Sequence, residues 1–161
     1  MLNSLASLTL PKSVRHAVPD DVKEMAEIGR KFFDATILPQ YADYDCASME
    51  DTLTTFIEDP NGTALCLIDD GNIVGGIGGY VHPLYFNHSQ FAAQQVFWFV
   101  LPEYRSRKSM RLLDAWESWS RSKGAKVIWS GAKMDDNYQG MEAMMARRKY
   151  AALEAVFIKE S

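Results

Sequence analysis

The sequence predicts a mixed α+β domain, and three observations predict it. Apolar residues recur at helical spacing in some segments and in strand-like runs in others, giving the order β-α-α-β-β-β-α-β-α-β. An Asp69-Asp70-Gly71-Asn72 turn joins two apolar runs as a hairpin. Residues 92–130 read strand–helix–strand, the one clear right-handed crossover; a doubly wound nucleotide fold would alternate more strictly.

Residues 13–18 form a short opening strand. Pro19-Asp20-Asp21 then starts a helix, with Asp21 as N-cap and Glu24 completing a capping box. Val22, Met25, Ala26, Gly29, Phe32 and Phe33 give it one apolar stripe, and Pro39 stops it soon after Ile37. A Tyr- and Asp-rich loop, residues 40–46, leads to a second helix from near Ser48, with Met49, Leu53, Phe56 and Ile57 on one face. Pro60-Asn61-Gly62 breaks it. Strands 63–68 and 73–81 flank the hairpin turn, and the second holds Gly75, Gly76, Gly78 and Gly79, a sign of a bulge or a close backbone approach. His82-Pro83 ends it. A loop, 84–91, precedes a central strand, 92–100, which is nearly continuously apolar from Val96 on and so predicted to be buried on both faces. The next helix carries Leu112, Leu113, Trp116 and Trp119 inward and stops at Gly124. A strand at 126–130, a helix at 136–148 and a closing strand at 152–159 complete the chain.

The chain has 161 residues, the size of one domain, so residues 1–161 read as a single domain with 1–12 as an N-terminal tail or docking segment. With 47% hydrophobic residues it can build a core without a disulfide or metal staple. No apolar stretch reaches the ~20 residues of a membrane span, and residues 1–10 lack the basic flank and cleavage site of a secretory signal. Seventeen basic against twenty-one acidic residues give a net charge of −4, which argues against a nucleic-acid binder. Cys46 and Cys66 lie outside any metal-ligand spacing and read as reduced thiols of a cytoplasmic protein. No metal site is expected.

Several stretches resemble the acyl-CoA N-acetyltransferases of the GNAT superfamily, over almost the whole chain from about Val14 to Lys159. Val14-Arg15-His16-Ala17-Val18-Pro19-Asp20-Asp21 is similar to the family's opening strand and x-P-x-D helix start. Val100-Leu101-Pro102-Glu103-Tyr104-Arg105 is similar to its V-x-P-x-Y-R run leaving the central strand. Leu112-Leu113 through Glu117, Trp119 and Gly124-Ala125 resembles the following helix and its exit, and Tyr150 with Phe157-Ile158-Lys159 the terminal hairpin. The resemblance implies a GNAT-like fold, a central mixed, mostly antiparallel sheet flanked by helices, with acetyl-CoA as co-substrate and a small amine or protein amine as acceptor. The small phage-encoded members have this look, which implies host cytoplasm or a virion as the setting. It leaves a homo-oligomer or a virion assembly open as partners.

A helix N-terminus offers unpaired N–H groups and a positive dipole end to a diphosphate. The loop 105–111 stands at such a junction and holds four cations, Arg105, Arg107, Lys108 and Arg111, in an acidic protein. With Phe99, Val100, Ser106, Ser109 and Met110 these are the expected cofactor-binding residues; a solvated basic face is the alternative. The family's loop reads R/Q-x-x-G-x-G/A, and here Lys108 and Met110 replace the small residues that admit a close backbone approach. Where the family places a Glu general base, the central strand offers Gln94 and Gln95, and an amide takes no proton. Counting back from Tyr150 places Lys149 at the family's glycine and Met145 at its acid tyrosine. The candidate substitutes for catalysis are therefore Gln95 on the central strand, Tyr138 just beyond the strand 126–130, and His82, with His88 across the loop before the central strand as a second imidazole. Each also reads as an ordinary core or surface residue. Asn137 is expected either to bond the pantetheine arm or to cap a helix. Two functions follow: direct acetyl transfer to an amine, or a catalytically degraded module with a structural or binding role, for example in a phage particle.

Overall fold

One hairpin ladder and one crossover build the sheet. The computed structural model describes residues 8–133 and 137–161, which fall into two compact units that divide between Trp129 and Ser130. Residues 1–7 of the expected tail and Asp136 of the expected last helix lie outside the described residues.

The first unit contains β1 (Val14–His16), α1 (Val22–Asp34), α2 (Cys46–Glu58), β2 (Gly62–Asp69), β3 (Asn72–Leu84), β4 (Asn87–Val100), α3 (Met110–Ser122) and β5 (Val127–Trp129). The sheet order is β1-β2-β3-β4-β5; the first three pairings are antiparallel and β4–β5 is parallel. That is the predicted mixed, mostly antiparallel sheet. Helices α1 and α2 cover one face, where Met25, Ala26, Leu53, Phe56, Cys66 and Phe99 share a core. Helix α3 packs on β1, β2 and β3 with Leu112, Leu113, Trp116 and Trp119 buried. The two tryptophan rings stack at 5.3 Å. Both cysteines are free, and burial pushes the Cys66 thiol up to about 12.

Local chemistry shifts several boundaries. Pro19 starts a 3₁₀ turn, Pro19–Asp21, ahead of α1, so Asp21 is not the expected forward N-cap. Its carboxylate instead reaches back to accept the Val18 N–H at 2.8 Å and two bonds from the Arg15 guanidinium at 2.6 and 2.9 Å. The Arg15 bond holds the Asp21 carboxyl below the usual carboxylate range, against the opposing effect of burial. Helix α2 begins at Cys46, two residues before Ser48, because Asp45 caps it by accepting the Ser48 N–H at 2.9 Å.

The expected loop 84–91 is mostly strand. β3 runs through His82 and Pro83 to Leu84, Tyr85 and Phe86 turn, and β4 begins at Asn87. The polar run Asn87–Gln90 hides this strand from a periodicity reading, since it is exposed on both faces. The prediction that the central strand is buried on both faces also fails in its middle. Val96 is 51% exposed and its neighbours are half-buried, because β5 accompanies β4 for only three residues.

The second unit contains α4 (Tyr138–Arg147), and the chain then continues without regular structure to Ser161. The closing strand predicted at 152–159 is absent. Strand-like sequence is not enough, for this unit offers no strand to pair with, and Leu153, Val156 and Phe157 are 71%, 85% and 92% exposed. Lys149, two residues past the end of α4, adopts a left-handed φ of 67°. That is the backbone state for which a glycine is suited, at the position where the resemblance places one.

Candidate active site

The glycines of β3 let β4 lie unusually close. A Cβ on Gly78 would sit 2.5 Å from the Phe97 ring, and one on Gly79 would sit 2.0 Å from the Gln94 carbonyl oxygen. Between them the register slips: Gly78 faces Phe97 and Gly79 faces Gln95, so Val96 is a bulge residue. The bulge turns Phe97 and Phe99 onto the helical face, where their rings stack at 5.3 Å. Phe97 also stacks on Phe56 at 6.3 Å.

Just before the bulge β4 loses its other neighbour. Ala92, Ala93 and Gln94 pair with Val127, Ile128 and Trp129, and there the pairing stops. Among the described residues no strand accompanies residues 96–100 on that side. An unpaired strand edge exposes backbone donors and acceptors, which is what an extended amide-bearing ligand can use.

The β4–α3 connection holds the expected cations together, but most of its backbone donors are spent internally. Ser106 N–H donates to Ser109 Oγ at 3.2 Å, Lys108 N–H to Ser106 Oγ at 3.2 Å and Ser109 N–H to the Ser106 carbonyl at 3.0 Å. Arg111 and Leu112 N–H groups donate to the Lys108 and Ser109 carbonyls. The expected bare-donor cradle is therefore closed here. Two serines close it, each supplying the cap that a side-chain hydroxyl makes readily.

Three of the four cations are also engaged. Arg105 Nε donates to the Val100 carbonyl at 3.0 Å, Arg111 Nη1 to Ser13 Oγ at 2.7 Å, and Lys108 Nζ forms an ion pair with Asp69 at the end of β2. Arg107 is exposed. Phe99 is 2% exposed and Val100 8%, so at these positions it is the backbone that a ligand would meet. A small pocket of about 30 Å³ lies between them and α1, lined by Ile28, Phe32, Ala35, Leu101 and Arg105, with room for a water or two. Met110 opens α3 and is half-buried.

At the other end of β4, His82 and Gln94 share the helical face with Tyr80 and Trp129. Tyr80 is opposite Gln94, and Gln94 is opposite Trp129. The His82 ring lies 5.4 Å from Tyr80 and 5.9 Å from Trp129. His82 Nδ1 stands 2.9 Å from the Pro83 carbonyl, which can only accept; the proton is thereby assigned to Nδ1, leaving Nε2 as a lone-pair site. Gln94 Nε2 donates to the Gln95 carbonyl at 3.2 Å, and Gln95 is half-buried beside the bulge. His88 is exposed at the start of β4, six residues before Gln94. Asn137 and Tyr138 belong to the second unit: Asn137 is exposed and makes no side-chain cap, its carbonyl accepting from Met141, and Tyr138 opens α4 half-buried. The sequence reading missed Asp69 and Trp129. Asp69 looked like a turn residue, and neither has a local signal, because each gains its meaning from a partner distant in the sequence.

The sequence also matches the profile of the acetyltransferase (GNAT) family over residues 24–148. The chain belongs to the GNAT family. Solved structures agree on the fold. An aminoglycoside acetyltransferase from an uncultured soil metagenomic sample, in complex with sisomicin, is 15% identical, with 92% of this chain and 95% of that one covered at a TM-score of 0.68. A ribosomal-protein-alanine N-acetyltransferase from Brucella melitensis biovar Abortus 2308 is 17% identical, covering 92% and 98% at 0.66. An aminoglycoside N-acetyltransferase in complex with CoA is 14% identical, covering 91% and 93% at 0.69. No curated protein sequence matches the chain. GNAT acetyltransferases use acetyl-CoA, the co-substrate expected from the sequence. The donor set here fits that group by charge, with four cations in seven residues beside an unpaired strand edge, although the backbone cradle is shut. No helix among the described residues is long and apolar enough to cross a membrane.

Proposed function

We propose that the chain is an acetyl-CoA-dependent N-acetyltransferase acting on an amine in the cytoplasm. The observation that carries this reading is the parting of β4 from β5 after Gln94 and Trp129, in a chain of this family. Acetyl-CoA supplies an activated acyl group as a thioester. Arg105, Arg107, Lys108 and Arg111 hold its diphosphate mainly by charge, aided by Ser106, Ser109, Met110 and, once the caps open, their backbone donors. The edge of Phe99 and Val100 orients the arm, with Asn137 as a further polar contact. The acceptor amine attacks the thioester directly; no Glu stands on β4 to take its proton, and positioning contributes most of the rate. His82 Nε2, on the ring beside Trp129, is the proton acceptor, Gln95 a hydrogen-bonding group after the strand parting, and Tyr138 the acid for the thiolate.

A second reading has its own support. The capped loop and the absence of the family's Glu and Tyr from their usual positions suit a non-catalytic module, for example a component of a phage particle or other assembly. A thermal-shift titration with acetyl-CoA separates the two, since a ligand that binds only the native state raises the melting temperature. The enzyme reading expects a rise that Arg105→Ala with Lys108→Ala removes. A flat titration at millimolar acetyl-CoA, with the chain recovered in a stoichiometric assembly, leaves only the module.

A further inference from the structure

Three rings line up across the sheet just before the point where β4 and β5 part. Tyr80 and His82 come from β3 and Trp129 from β5, with the Gln94 amide between them on β4. The strand register puts all four side chains on the helical face. Phe56, near the end of α2, stacks on Tyr80 at 6.2 Å and closes the strip at one side. Tyr80 is 38% exposed, and His82, Gln94 and Trp129 are half-exposed, so these rings are available to a ligand rather than sealed in the core. Neighbouring planes are inclined by 46° and 48°, which makes a shallow trough of ring faces and edges.

From this trough we infer the class of acceptor: a single amine carried on an aromatic or equally flat apolar body. The inference rests on the transferase reading above and adds its substrate. A flat body gains offset or edge-on contacts with Tyr80 and Trp129. Its amine N–H donates to His82 Nε2, the one acceptor that the Nδ1–H bond to Pro83 leaves on that ring. The trough residues Tyr80, His82, Gln94, Trp129 and Phe56 carry no carboxylate. A polycationic acceptor would therefore set its other ammonium groups among rings that carry no carboxylate, with Asp59 beside Gly62 as the acidic group at the trough's β2 edge, which is costly at a partly desolvated surface. The trough thus selects against the polyamino sugars that two of the fold neighbours are named for.

The test is an NMR titration of the full chain with 2-phenylethylamine, hexylamine and kanamycin, each with and without acetyl-CoA. The expected result is saturable shifts of the Trp129 indole N–H and the His82 ring with 2-phenylethylamine, and binding weaker by roughly three- to ten-fold with hexylamine, the worth of one aromatic contact. Tyr80→Leu, at an exposed position, should weaken 2-phenylethylamine by a similar factor, and Trp129→Leu likewise where it folds. Tighter binding of kanamycin, shifts confined to other residues, or indifference to Tyr80→Leu would overturn the assignment. Amine shifts without any acetyl-CoA response would retain the trough and remove the transferase; an acetyl-CoA response without amine shifts at the trough would do the reverse.

Discussion

The two ends of β4 solve opposite problems. At Val100 the chain leaves the sheet through a loop rich in charge, and nearly every polar group there finds a partner within the protein: Arg105 on Val100, Lys108 on Asp69, Arg111 on Ser13, and the Ser106 and Ser109 hydroxyls on backbone. At Gln94 the chain is flanked by uncharged rings that are left partly exposed. The charged end is closed and must open to take an anion; the aromatic end is already open. A group's character alone therefore says little about readiness to bind. What matters is whether the fold has already satisfied it.

The largest expected effect tests the support that both ends share. Trp116 is fully buried in α3 and stacks on Trp119, so Trp116→Ala should cost about 3–5 kcal/mol in urea unfolding. A cost below about 1 kcal/mol would mean that the sheet does not depend on α3 for its seat.

The closed end is next. Lys108→Ala should weaken acetyl-CoA by at least about ten-fold in calorimetry, since a hydrogen bond to a charged group contributes about 1.5–3 kcal/mol. Asp69→Asn should do the opposite, tightening it by about two- to five-fold, because it releases Lys108 from a pair worth at most ~1 kcal/mol at this exposure. Equal weakening by both variants would show that the ion pair builds the site and does not compete with it.

The smallest effect contrasts this pair with the half-buried Arg15–Asp21 pair. Asp21 is held below the ordinary carboxylate range, first by the Arg15 hydrogen bond. Its contribution is complete above the unfolded value of about 3.9 and is lost as pH falls through the lower folded value. Arg15→Ala should therefore be less stable than the wild type near neutral pH, with the gap narrowing as pH drops below about 4. A gap independent of pH, measured by denaturation at several pH values, would assign the loss to packing of the Arg15 stem.

Much of the fold was legible because it rests on short-range rules. The hairpin turn was readable from Asp70-Gly71, whose φ values of 47° and 80° are those the turn needs. The inward stripe of α3 and its stop at Gly124 followed from spacing and from one glycine, found at φ 76°. The strand at Asn87–Gln90 was not readable, since a ladder paired at an exposed hairpin end needs no apolar face. The closing strand failed for the converse reason: its residues suit a strand, and its unit supplies no partner. At the candidate site the cation cluster and the glycine-rich strand were visible in the sequence. The serine caps, the Lys108–Asp69 pair and the placing of Trp129 beside His82 were not, because each joins residues by geometry and not by local pattern.

The sequence by itself determined the element order as far as α4, the buried stripes and the clustering of cations after the central strand, all consequences of periodicity and neighbouring residues, and its motifs carried the resemblance to the family. Tertiary structure alone decided which of those cations are already bonded and which rings stay in reach of a ligand. Hydrogen bonds and ring contacts between distant residues depend on register and on where strands part. One three-residue pairing, Ala92–Gln94 with Val127–Trp129, fixes where β4 and β5 part in this protein.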